Sequence, residues 1–203
     1  MGESQKGLHL QTCLFCVSSI GTNFDANILC PSSDPGVLHV LYLQAFLLEP
    51  GVTSIAKVGG NTAPWLEIRD RLQIPQNARD IFYHDVSPSE LADKAASLVV
   101  PNSRSVVEAP IDYVPWHDLP CTYVICERDA ALPPQVARWL IQSAGVKCGV
   151  LRVESGHSPF LSMPGRTGRV VRWVAGEKGV DMEGVGFGES GEEKMEEGWV
   201  KGA

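Results

Sequence analysis

The sequence predicts an α/β protein organised around a parallel sheet, and three observations carry that prediction. Residues 37–46, 121–126 and 148–153 are nearly uninterrupted runs of β-branched, aromatic and aliphatic side chains, as in strands buried on both faces. The second and third runs are each followed by apolar residues at helical spacing. Val136, Ala137, Trp139, Leu140 and Ile141 follow Pro133-Pro134, and Val170, Val171, Trp173 and Val174 come later. Strands alternating with helices imply parallel pairing. Finally, an aspartate and a histidine stand just beyond consecutive strands, where open parallel sheets gather their functional side chains.

The bulk properties narrow the function. The 203 residues are 44% hydrophobic and 20% charged, which suits a soluble domain with a sizeable core. The net charge of −7 is concentrated from Glu177 onward, and no basic face is available for phosphates, so nucleic acid is not an expected partner. No run reaches the ~18 apolar residues of a membrane span. The start, Met1-Gly2-Glu3-Ser4-Gln5-Lys6, lacks the hydroxyl residue of a myristoylation signal. The apolar stretch near Leu14 is short and Cys/Ser-rich, a poor signal peptide, so a cytoplasmic location is expected.

Six cysteines do not make a disulfide scaffold in a chain of this size. Cys121, Cys126 and Cys148 sit in or beside strand-like runs, where a reduced thiol behaves as a small hydrophobe. Cys13 and Cys16 form one Cys-x-x-Cys pair with Cys30 downstream, but no second pair or His pair follows at finger spacing. No metal and no cofactor is therefore expected.

In chain order, residues 1–36 show no clean period and read as an irregular segment closed by the turn formers Pro31-Ser32-Ser33-Asp34-Pro35-Gly36. The body of the fold is expected over 37–176. Within it, residues 52–116 are broken by Gly59, Gly60, Pro64, Pro75, Pro101 and Pro110 into short helical stretches. One of these opens at Ser87 as N-cap, with Pro88 at the first helical position and Glu90 completing a capping box. A broken helical insertion between strands suits a lid over a pocket. Residues 177–203 are Gly/Glu-rich and read as a disordered acidic tail.

Asp129 and His157 are the candidate catalytic residues. Each follows a strand by a few residues, and the two strands should be neighbours, so the pair should meet at one end of the sheet. A carboxylate bonded to one imidazole nitrogen fixes the tautomer and leaves the other nitrogen as a base. Glu127 lies at the same strand end and is an alternative orienter. His84 and His117 fall in the insertion and read as surface or lid contacts. Trp65, Trp116 and Phe160 read as pocket walls or as core.

Several segments in order carry a family resemblance: Val40-Leu41-Tyr42-Leu43-Gln44-Ala45-Phe46, Ile81-Phe82-Tyr83-His84-Asp85-Val86, Cys126-Glu127-Arg128-Asp129 and Ser155-Gly156-His157-Ser158-Pro159-Phe160. Together they resemble the C-terminal part of a fungal α/β-hydrolase family similar to the plant methylesterase and hydroxynitrile lyase group. The resemblance implies an α/β-hydrolase fold with a parallel sheet and a helical lid, truncated here to its C-terminal part. It implies hydrolysis of a small apolar ester or amide through a Ser-Asp-His triad, with Asp129 as acid and His157 as base, and a tailoring role in secondary metabolism. The family's Gly-x-Ser-x-Gly elbow has no counterpart in the 203 residues; Gly2-Glu3-Ser4-Gln5-Lys6 fails at its last position. Ser18, Ser19 and Cys16 are the nucleophilic side chains upstream of residue 37 closest to the required order. The alternative expectation is a non-catalytic remnant that binds a small apolar ligand or a partner subunit. With little sequence before residue 37, the strand at 37–46 is expected to present an open edge, favouring a homodimer or a partner chain there.

Overall fold

The computed structural model describes residues 14–18 and 37–189. Strands β1 (Leu14–Ser18) and β2 (Val37–Leu43) come first. An insertion follows, made of α1 (Ser54–Lys57), β3 (Leu66–Arg69), β4 (Leu72–Pro75), α2 (Ala78–Phe82), α3 (Ser89–Ser97), β5 (Asn102–Ser103) and α4 (Ser105–Glu108). The chain then runs through β6 (Cys121–Cys126), α5 (Pro134–Ala144), β7 (Gly149–Val153), α6 (Pro159–Ser162), α7 (Pro164–Val174) and β8 (Gly186–Glu189).

The main sheet has the order β1-β2-β6-β7-β8. Its centre is parallel, as the apolar runs predict: Val40 to Leu43 lie opposite Cys121 to Val124, and Thr122 to Cys126 lie opposite Gly149 to Val153. Side chains alternate between two cores. Val40, Tyr42, Tyr123, Ile125 and Val150 pack on one face with Ala137, Leu140 and Ile141 of α5. Leu41, Leu43, Val124, Leu151 and Val153 pack on the other with Val170 of α7. Both faces are covered, which is why these strands read as continuous apolar runs. Helix α5 starts at Pro134 and stops at Gly145, whose φ of 62° supplies the left-handed cap that glycine tolerates best.

Four expectations need correction. The strand β2 is not an open edge: β1 pairs with it antiparallel, Leu14 opposite Tyr42 through Cys16 opposite Val40, so residues 1–36 are not wholly irregular and the predicted interface on β2 is already filled. The acidic tail is not disordered from residue 177. Strand β8 pairs antiparallel with β7, giving that strand's outer backbone groups their partners; residues 190–203 lie outside the described residues. The insertion is not purely helical, because β3, β4 and β5 form a small antiparallel sheet. Its hairpin turns on Asp70-Arg71, with Asp70 at φ 55°, a conformation that aspartate accepts more readily than most residues. The helix expected to begin at Pro88 begins one residue later, at Ser89, with Pro88 rather than Ser87 at its N-cap.

Candidate active site

The two candidate residues are brought together by loops that leave adjacent parallel strands at the same end. The loops are stitched by backbone bonds: Glu127 N–H donates to Val153 C=O at 2.9 Å and Arg128 N–H to Ser155 C=O at 3.0 Å. Arg128 adds its Nη2, 2.6 Å from the Glu154 carbonyl. Asp129 is consequently fixed on every side. Its Oδ1 accepts the N–H groups of Ala131 at 2.7 Å and Leu132 at 3.0 Å, a local turn that aspartate forms with its own downstream backbone. Its Oδ2 lies 2.7 Å from His157 Nδ1. The Asp129 side chain is 0% exposed, so these bonds replace the water that a buried carboxylate requires. As a carboxylate Asp129 only accepts, which places the proton on Nδ1 and leaves the lone pair on Nε2.

The neighbouring acid does not compete. Glu127 takes Arg138 of α5 through both carboxylate oxygens, at 2.6 and 2.9 Å. The aromatic candidates divide. Trp116 packs edge-on against Tyr42 and belongs to the core beneath the sheet, and His117 meets it edge-on. Phe160 is exposed. Trp65 does belong near the site: it meets Phe82 edge-on at 5.0 Å, and Phe82 lies 5.4 Å from the His157 ring. An open, mainly apolar cavity of about 410 Å³ has Tyr83, Leu91, Leu98 and Leu161 among its walls; neither Asp129 nor His157 lines it. His84, exposed to solvent, lies against Gly156 rather than in the cavity.

Three residues that sequence reasoning passed over shape the site. Gln44, buried at the end of β2, donates to the Leu132 carbonyl at 2.5 Å and accepts the Cys126 N–H at 2.7 Å, closing both ends of the Asp129 loop. The signal was an amide inside an apolar run, which burial obliges to find partners. Phe82 and Asp85 reach the histidine loop from the insertion, and nothing local in the sequence marks such contacts. Among the cysteines, burial pushes the Cys126 thiol up to about 12, so it is no nucleophile. No cluster of His, Cys, Asp and Glu suited to a metal occurs among the described residues. Cys13 and Cys30 lie outside them, as does the side chain of Cys16. No helix among the described residues is long and apolar enough to cross a membrane.

The model of the alpha/beta hydrolase family matches residues 17–170, a span that includes the sheet, Asp129 and His157. The chain belongs to that family. The alpha/beta hydrolase nvfD of Aspergillus novofumigatus is 28% identical over 152 residues, covering 72% of this chain and 60% of the relative. Among solved structures, a pyrethroid hydrolase from Sphingobium faniae superposes with a TM-score of 0.59 at 22% identity, over 69% of this chain and 61% of that one. Polyneuridine aldehyde esterase gives 0.54 at 13% identity, over 68% and 62%. These likenesses show the hydrolase fold with a mostly parallel sheet. The chain spans about 60% of the length of the curated relatives it matches.

Proposed function

We propose that Asp129 and His157 form the acid–base part of an ester-hydrolysing centre acting on a small apolar substrate. The observation that carries this reading is the 2.7 Å contact between a fully buried Asp129 carboxylate and His157 Nδ1, with the imidazole itself 27% exposed. Asp129 holds the ring in one tautomer, and Nε2 takes a proton from a nucleophilic hydroxyl or a water and returns it to the leaving alcohol. The segment that carries Phe82 against His157 also contributes Tyr83 to an open apolar cavity, which suits an aliphatic or aromatic acyl or alkyl group, with residues 52–116 as its lid. The named activities of the pyrethroid hydrolase and the aldehyde esterase support the ester class. The fungal relatives, named as hydrolases, support the hydrolytic class.

A second reading, ligand binding without turnover, draws on the lack of Gly-x-Ser-x-Gly within the 203 residues. Removing the serine of such a triad costs on the order of 10⁶ in rate. The test is hydrolysis of p-nitrophenyl acetate, an ester activated enough to report an oriented imidazole. The chain should exceed the buffer rate slowly, His157→Ala should fall to it, and unactivated alkyl esters should not turn over. Equal rates for the chain and His157→Ala would remove the base from the mechanism and point to binding or to another nucleophile.

A further inference from the structure

Asp85 lies in the loop between α2 and α3, yet its carboxylate is only 6% exposed. It reaches 71 residues along the chain to accept the Gly156 N–H on Oδ2 at 2.6 Å. Gly156 is the residue immediately before His157, so this bond fixes the Ser155–Gly156 peptide that leads into the histidine. The fit is tight from the other side too. A Cβ on Gly156 would stand 2.7 Å from both Asp85 Oδ1 and His84 Cε1, so the loop and the insertion touch with no room for a side chain. Arg128, which bonds the Glu154 carbonyl, also approaches Asp85 Oδ2 at 4.0 Å. Phe82, three residues earlier, rests on the imidazole itself. One short stretch of the insertion therefore holds the histidine through its ring and through its backbone.

Burying a carboxylate is costly unless its oxygens are paired, and Asp85 Oδ1 has no partner among the described residues. We infer that Asp85 is a positioning residue: it holds the Ser155–Gly156 peptide that leads into His157, so that His157 Nδ1 meets Asp129, and it ties the seating of the insertion to the alignment of the base. This rests on the reading of His157 as the base, but its geometry is measurable independently of turnover.

The experiment is proton NMR of the whole chain, following the downfield His157 Nδ1–H resonance, with a thermal melt to establish folding. Asp85→Ala removes the acceptor and should abolish the resonance in a folded protein, while p-nitrophenyl acetate hydrolysis falls on the order of 10- to 100-fold. Asp85→Asn keeps an oxygen for the Gly156 N–H and should retain the resonance. A folded Asp85→Ala with the resonance intact overturns the inference. Should Asp85→Ala fail to fold, Asp85→Asn decides alone, since a folded Asn variant lacking the resonance overturns it equally. If Asp85→Ala loses the resonance but His157→Ala leaves hydrolysis unchanged, the positioning role stands and the hydrolytic reading falls.

Discussion

Gln44 Oε1 accepts the backbone N–H of Cys126 at 2.7 Å, so the end of β2 holds the start of the loop that carries Asp129. The same amide donates to Leu132 C=O on the far side of the loop. Gln44→Leu keeps much of the volume but leaves two buried backbone groups unpaired, each worth about 1–3 kcal/mol. We expect a lower denaturation midpoint with an unchanged slope in urea. A midpoint equal to that of the parent chain would show that Gln44 is not the clamp.

The pH dependence of stability has an identifiable contributor at the other end of β2. Partial burial lowers the pKa of His39 below its ordinary 6.5, and its Nε2 lies 3.0 Å from the Thr122 hydroxyl. The folded state therefore binds this proton less readily than the unfolded state. The neutral ring's contribution is complete above the unfolded pKa and is lost as the pH falls through 6.5 toward the lower folded value. Melting curves from about pH 8 to about pH 5 should show a steeper loss for the parent chain than for His39→Gln, which has no titrating ring. Parallel slopes would contradict the assignment.

Cys126 closes β6 directly before the acid loop, fully buried, with burial holding its thiol near 12. Alkylation with iodoacetamide at about pH 8, read by peptide mass spectrometry, should leave Cys126 unmodified in the native chain and modify it on denaturation. Rapid native labelling would mean that the strand end opens to solvent.

The parallel centre of the sheet was legible because β2, β6 and β7 are buried on both faces and their composition says so. The meeting of Asp129 and His157 was legible because loops that leave adjacent parallel strands at the same end lie side by side. The antiparallel margins were not. Strand β8 contains two glycines in four residues, and it owes its extended form to the edge of β7 rather than to its own propensity. The hairpin of β3 and β4 was masked by the surrounding Gly and Pro, although Leu66 and Ile68, then Leu72 and Ile74, alternate as strands should. Asp85 and Gln44 act across 71 and 82 residues, and pairings of that range leave no trace in local pattern.

The central claim is that Asp129 sets the tautomer of His157 and thereby makes Nε2 the base. Asp129→Asn tests it most directly. The amide oxygen can keep the bonds to Ala131 and Leu132, so the loop survives, but the NH₂ now faces Nδ1 and demands a lone pair there. Nitrogen-15 NMR of the imidazole should show Nδ1 protonated in the parent chain at about pH 8 and Nε2 protonated in the variant, with p-nitrophenyl acetate hydrolysis falling to the level of His157→Ala. An Asp129→Asn protein that keeps both the parent tautomer and the parent rate would contradict the account.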